Sequence, residues 1–282
     1  MKARVTVGLV VKNGADTIGR GMESLLAQSF TDFKIIISDN RSDDETPELC
    51  KEFARRDQRV KYIRQATDLG QIGNFWFVLG CADTEYFMWA AHDDHWEPDF
   101  IAKTVALLDA KPDVGLAATW VKVFDPANGD TRFSFKPRPM TSNFRMVRYL
   151  CEHLNPCVNK YYGMHRTKLL QAFDHQTFKI LDYQDTLLID YVNLKTKTDV
   201  VHEYLFNYAE EPDKVRTSLD PARHKIQGMF AGLNKFDHFG YVFNSLKLMR
   251  SVASNTLVQA SVSLAFCAIF VGMKFVHRIR RR

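Results

Sequence analysis

The chain has 282 residues, of which 46% are hydrophobic, 25% charged and 12% aromatic, with a formal net charge of +5. That is enough to bury a sizeable core, as one large α/β domain or a domain with an appendage, and it excludes a disordered or low-complexity chain. Lys274, Arg278, Arg280, Arg281 and Arg282 supply five positive charges within the last nine residues, so the basicity is local and suits an anionic membrane surface rather than nucleic acid.

The first predicted element is a buried strand over Arg4 to Val11, RVTVGLVV, broken by Lys12-Asn13-Gly14. A helix follows in ADTIGRGMESLLAQSF, with Ile18, Met22, Leu25 and Leu26 on one face. Phe33 to Ser38, FKIIIS, reads as a second strand and ends in DNRSDDET before the helix PELCKEFARRD. Thr46 is the expected cap of that helix and Pro47 its first residue. Capping explains Asp43, Asp44 and Thr46, but not Asp39, which comes directly off an apolar strand where a carboxylate can accept hydrogen bonds from a ribose or a base.

VKYIRQ is a short third strand, and Gly70 to Ala82, GQIGNFWFVLGCA, reads as a helix whose aromatics serve the core. Strands alternating with helices imply a parallel sheet with right-handed crossovers.

The stretch Glu85 to Asp99, EYFMWAAHDDHWEPD, is the richest in chemistry. An apolar strand, Tyr86 to Ala91, stops at Asp93 and Asp94, and a helix follows in DFIAKTVALLDAK with Pro98 near its first turn. The acidic pair therefore sits at the carboxyl end of a strand, the edge where open α/β sheets bind ligands. Two adjacent carboxylates are hard oxygen ligands suited to Mg²⁺ or Mn²⁺ carrying a diphosphate, and a solvated surface turn is the competing reading.

The succession VTVGLVVKNG, SLLAQSF, FKIIISDNRSDDET, DLGQIGN and EYFMWAAHDDHWEPDFI resembles the amino-terminal half of family 2 glycosyltransferases, with every block in order over roughly residues 4 to 120. The resemblance implies the A-type glycosyltransferase fold, a Rossmann-like, mostly parallel sheet flanked by helices. It makes His92-Asp93-Asp94 the DxD-type motif, with Asp94 the main metal ligand and Asp93 approaching cation and ribose. Asp39 then contacts base or ribose, and Asn13, Asn40, Ser42, Gly70 and Asn74 join the donor-binding set. Many relatives carry Arg before the Asn of DLGQIGN, where this chain has Gly73, so Gly70 and Asn74 are the weaker members.

Val114 to Val123 reads as a further strand, and Phe124 to Thr141 as a Pro-rich loop whose Lys136 and Arg138 are solvated or phosphate-facing. Val158 to Met164 resembles the acceptor-side strand of the family, with HRTKLLQAF its following helix; His165 and Arg166 at the junction stay unassigned. In LDYQDTLLIDYVNL, Asp182 and Asp185 suit either a capping arrangement or catalysis. Inverting family members have an acidic pair here followed three residues on by Leu. Gln184-Asp185 with Leu188 keeps that spacing without the first carboxylate, so the resemblance makes Asp185 the general base and Asp182 its reserve.

Val200 to Ala209 reads as a strand, and EEPDKVRTS follows where the resemblance implies a basic or His-containing loop closing on the donor phosphates, a role open to Lys214 and Arg216, with His202 and His224 as remote metal-ligand candidates. Ser251 to Met273 carries no charge and as a helix would reach about 35 Å, against a hydrocarbon core of about 30 Å. The basic end KFVHRIRRR would then lie across the membrane from a domain needing cytosolic nucleotide sugar, so an interfacial or re-entrant helix is the favoured reading. The preceding residues 229–249 suit an interfacial or oligomer-packing helix, with a core helix as the alternative.

Five cysteines without a CxxC pair, and no signal peptide before the first strand, point to a reduced, cytosolic setting and against a thiolate metal site. The expected organisation is a catalytic domain over 1–222, divided at 120 into donor and acceptor halves, and a helical membrane-associating region over 223–282. The expected activity is metal-dependent, inverting transfer from a nucleotide-diphosphate sugar to a glycan or lipid-linked hydroxyl at the cytoplasmic face of the membrane, as in cell-surface polysaccharide synthesis. A sugar nucleotidyltransferase would want a Gly-rich, basic loop after the first strand, which VVKNGADTIG lacks. A non-catalytic, membrane-anchored nucleotide-sugar-binding partner is the other alternative, favoured by Gln184.

Overall fold

The computed structural model describes residues 3–154, 157–175, 184–210 and 248. Asp182, Lys214, Arg216, His224 and the 251–273 segment lie outside the described residues. Among the described residues no helix is long and apolar enough to cross a membrane.

The first half alternates as its apolar runs dictate: β1 (Val5–Val11), α1 (Ile18–Leu26), β2 (Phe33–Asp39), α2 (Thr46–Arg56), β3 (Val60–Arg64), α3 (Gly70–Gly80) and β4 (Tyr86–Ala91). β1 is buried throughout because it is central, hydrogen-bonded in parallel to β2 and β4, while β3 flanks β2. Side chains alternate between two apolar layers. Val5, Val7, Leu9, Ile35, Ile37, Met88 and Ala90 pack beneath α1, α2 and the later helix α4 (Phe100–Ala110). Val10, Ile36, Phe87 and Trp89 face the other way, towards Phe75, Val78 and Leu79 of α3.

Register fixes the site. Val11 pairs with Asp39 and Val10 with Ala91, so β1, β2 and β4 end side by side and their following turns form one rim.

The second half is mixed rather than mostly parallel. Its elements are β5 (His95–Trp96), β6 (Val114–Phe124), β7 (Thr131–Phe135), α5 (Arg145–Leu154), β8 (Met164–Arg166), α6 (Thr167–Gln171), α7 (Gln184–Lys195) and β9 (Lys197–Ala209). The sheet runs β3-β2-β1-β4-β8-β6-β9-β5, with β7 on β6. β6 and β9 are parallel, whereas β8 is antiparallel to both β4 and β6, and β5 is antiparallel to β9.

Three local expectations change. The connection after β6 contains β7, which turns back on β6 as a hairpin. Val158–Tyr162 is a 3₁₀ helix, and only Met164–Arg166 beyond it is strand. The tight turn puts Lys160 inward in a buried ion pair with Glu152 and stacks Tyr161 on Trp89 at 4.3 Å, contacts that a strand's alternation would not give. Thr46 is the first residue of α2 rather than its cap, and its Oγ1 instead accepts the Gly14 N–H at 2.9 Å.

Candidate active site

The loops after β1 and β2 are bonded to one another. Asn13 N–H donates to Ser42 Oγ (2.9 Å), Asp43 N–H to Asn13 Oδ1 (3.0 Å) and Ala15 N–H to Asp44 Oδ2 (3.1 Å). Asn13 and Arg41 sit at φ 51° and 61°, left-handed conformations in which Asn is the better tolerated of the two.

Asp39 is wholly enclosed beneath this crossing. Its Oδ1 accepts the Ser42 N–H (2.8 Å), its Oδ2 accepts the Tyr62 hydroxyl (2.7 Å), and the Arg64 guanidinium stands 3.7 Å away. Arg64 also donates to the Ser42 carbonyl at 2.7 Å. Ser42 is likewise buried, so both side chains set the shape of the loop from below.

Asn40 is buried one residue further on. It donates to Asp68 (2.6 Å) and accepts the Leu69 N–H (2.8 Å), while Lys12, just past the end of β1, reaches Asp68 at 2.5 Å. Lys12 first, and then the Gly70 N–H, hold the Asp68 carboxyl down to about 2. Gly70 adopts φ +69°, the left-handed turn into α3. Asn74 is spent inside the fold: its amide donates to the Ser38 carbonyl at 2.9 Å and its oxygen accepts the Ser38 hydroxyl at 2.5 Å.

The acidic turn lies beside this rim. His92 Nδ1 and Thr17 Oγ1 are 2.7 Å apart, and α1 presses so closely that a Cβ on Gly21 would stand 2.9 Å from the Asp94 carbonyl. Asp93 is half-buried. Asp94 is buried, with Oδ1 accepting the Ala209 N–H at 2.8 Å and Oδ2 without a hydrogen-bond partner among the described residues. Burial, and then the charge of Asp93, push the Asp94 carboxyl well above the usual carboxylate range, against a smaller pull from the Ala209 N–H.

An enclosed carboxylate oxygen with no partner beside a second carboxylate has the chemistry of a divalent-cation ligand set. Among the described residues no group of three or more His, Cys, Asp and Glu is placed to hold a metal, so such an ion would take its remaining oxygens from substrate and water.

Asp185 enters from the first turn of α7, half-buried, with Oδ1 accepting the Thr186 N–H at 2.6 Å. Burial pushes its carboxyl up, against the bonds from Thr186. Tyr208, near the end of β9, lies within electrostatic reach of Asp94, Asp93, Glu210 and Asp185 together. The acidic turn and Asp185 are thus brought to one place, although 91 positions separate Asp94 from Asp185.

Other candidates resolve as framework. His165 is fully buried; its Nε2–H donates to the Tyr161 carbonyl (3.1 Å), and burial pulls its pKa down to about 4. Arg166 ties β8 to the carbonyls of Val114 (2.9 Å) and Leu108 (2.7 Å). His202 stacks on Trp120 at 5.7 Å, and the Lys136 ammonium sits 4.0 Å above the same indole. The sequence reading of 158–164 and 200–209 as strands singles out neither Tyr162 nor Tyr208.

A family model described as glycosyl transferase family 2 matches residues 6–173, which include β1 from its second residue, β2 to β4 and the acidic turn. The chain belongs to glycosyl transferase family 2. Its Rossmann-like α/β fold is that of the family. An uncharacterized glycosyltransferase of Methanocaldococcus jannaschii is 25% identical over 190 residues, covering 66% of this chain and 63% of that protein. An uncharacterized glycosyltransferase of Haemophilus influenzae is 23% identical over 185 residues, covering 64% and 55%. The chain therefore spans somewhat more than half the length of these relatives.

Among solved structures, S. aureus TarS 1-349 in complex with UDP-GlcNAc superposes with a TM-score of 0.60 at 16% identity, covering 89% of this chain and 82% of that one. At that identity the likeness concerns the fold.

Proposed function

We propose that this chain is a metal-dependent, inverting glycosyltransferase that moves a sugar from a nucleotide diphosphate to a hydroxyl of a glycan or lipid-linked acceptor. The observation that carries the reading is the convergence of Asp93, Asp94 and Asp185 around Tyr208 at the carboxyl edge of a family 2 sheet.

In this reading the nucleoside lies over the crossed loops after β1 and β2. Asn13 and Asn40 hold the rim, and Asp39 sets its shape; direct contact with Asp39 requires Tyr62 or Arg64 to turn aside. The diphosphate lies against the acidic turn, where Asp94 and Asp93 hold Mg²⁺ or Mn²⁺. When bound, that ion supplies neutralisation of the charge on the departing diphosphate.

Asp185 removes the proton of the acceptor hydroxyl, which is a poor nucleophile at neutral pH. The acceptor oxygen then bonds to the anomeric carbon as the bond to the diphosphate breaks, with inversion. A carboxylate placed for this purpose commonly contributes ~10²–10⁴-fold. Uridine nucleotides are the first donors to try, because the TarS structure carries UDP-GlcNAc.

The basic run over 274–282 and the uncharged run over 251–273 support a reading in which the enzyme works at the cytoplasmic face of a membrane, in synthesis of a surface polysaccharide or glycoconjugate. Gln184, which lacks the first carboxylate of the acidic pair that the family resemblance implies, favours a second reading in which donor is bound but not turned over.

The two readings separate in Asp185→Asn. Transfer by the wild type, with nucleotide-sugar binding kept and turnover lost in the variant, supports catalysis. Full turnover in the variant would sink the base assignment, and binding without turnover in the wild type would favour the partner.

A further inference from the structure

We propose that Tyr208 is a sugar-recognition residue of this site, its hydroxyl donating a hydrogen bond to the transferred sugar between the acidic turn and Asp185. The inference rests on the glycosyltransferase reading above and deepens it by naming a group that touches the transferred sugar.

The argument begins with the line of reaction. In displacement with inversion, the acceptor oxygen, the anomeric carbon and the leaving oxygen lie in line. The sugar must therefore occupy the space between the base and the carboxylates that receive the diphosphate. Tyr208 stands next to Ala209, whose N–H holds Asp94, and lies within electrostatic reach of Asp93 and of Asp185.

Its position is fixed by the backbone. Tyr208 is paired with Val123 of β6 and immediately precedes Ala209, whose N–H holds Asp94 at 2.8 Å. Its ring leans on Tyr162 and on Phe206, each with centroids 6.4 Å away. The aromatic packing gives the phenol a defined place at low cost in side-chain freedom.

The hydroxyl is kept available. Tyr208 is half-buried, and its oxygen makes no hydrogen bond to any described residue. A tyrosine phenol is protonated at neutral pH and can donate a hydrogen bond. Sugar hydroxyls and ring oxygens accept such a bond, whereas an ionised phenolate would repel a diphosphate.

The test compares two ligand sets on the full chain with Mn²⁺ present. UDP, GDP and dTDP report the nucleotide site; UDP-glucose, UDP-galactose, UDP-N-acetylglucosamine, GDP-mannose and dTDP-rhamnose add the sugar. Calorimetric titration of Tyr208→Phe should leave the affinity for the matching nucleoside diphosphate unchanged and weaken its sugar conjugate by about five- to ten-fold, the effect of one lost neutral hydrogen bond. The variant should also lose discrimination between conjugates that differ at one hydroxyl.

Equal weakening of both ligand sets would assign the hydroxyl to the diphosphate or to the fold, and no weakening of either would remove it from the site; each outcome overturns the proposal. If the wild type binds neither set, the glycosyltransferase reading itself fails.

Discussion

Asp94 Oδ1 accepts the backbone N–H of Ala209 at 2.8 Å across 115 positions of the chain. The bond fastens the acidic turn after β4 to the end of β9, and so joins the β1–β4 part of the sheet to the strand that follows α7. It also divides the labour within one carboxylate. One oxygen is fixed by the protein, and the other is enclosed and left without a hydrogen-bond partner among the described residues.

Two glycines of α1 test how closely this turn is supported. A Cβ on Gly21 would stand 2.9 Å from the Asp94 carbonyl and 3.2 Å from that of His92, both main-chain atoms that cannot swing away. Gly21→Ala should therefore cost about 1–3 kcal/mol in urea unfolding and weaken cation-dependent donor binding. A Cβ on Gly19 meets nothing within 4 Å, so Gly19→Ala should stabilise by about 0.5–1 kcal/mol through helix propensity alone. Equal stability of the two variants would refute the close contact.

Asp185 sets the expected pH dependence of turnover. A general base works only when ionised, and burial raises this carboxyl from its ordinary value. The acid limb of kcat should therefore lie above the range of an exposed aspartate, with activity lost as pH falls through the raised pKa. A profile flat down to the ordinary aspartate range would exclude Asp185 from proton removal.

His165 makes a prediction about stability rather than catalysis. Its pKa is pulled down to about 4 in the fold, against about 6.5 for a free imidazole. Between those values the unfolded chain binds a proton that the folded chain does not. The contribution of the neutral ring is thus fully present above pH 6.5 and is lost towards pH 4, a span of about 3 kcal/mol. Unfolding of wild type and His165→Gln should show their stability difference shrinking by about that amount from pH 7 to pH 4. A constant difference would contradict the neutral, buried ring.

The sequence was most legible where chemistry and periodicity coincide. Unbroken apolar runs marked β1, β2 and β4, and the strand before the acidic pair ends at Ala91 as its composition implies. The mixed second half was less legible, because β5 and β8 are only two and three residues long and owe their existence to pairing with β9, β4 and β6.

Burial was harder to read than identity. Asp39 looks open in the sequence, but pairing Asp39 with Arg64 in register brings Tyr62 and Arg64 over it. Asn74 likewise spends both amide groups on Ser38, 36 positions earlier. Tyr208 was hidden for the opposite reason, since one alternating aromatic among several carries no mark of the carboxylates that gather around it.

The most direct test of the central claim is thermal unfolding of the full chain with UDP, GDP, dTDP and their sugar conjugates, with and without Mn²⁺, in wild type and Asp94→Asn. A ligand at 100 times its dissociation constant should stabilise by about 2.7 kcal/mol. The account predicts a shift for one nucleotide base that requires the cation and disappears in Asp94→Asn. A folded wild-type protein with no shift across the whole panel would contradict it.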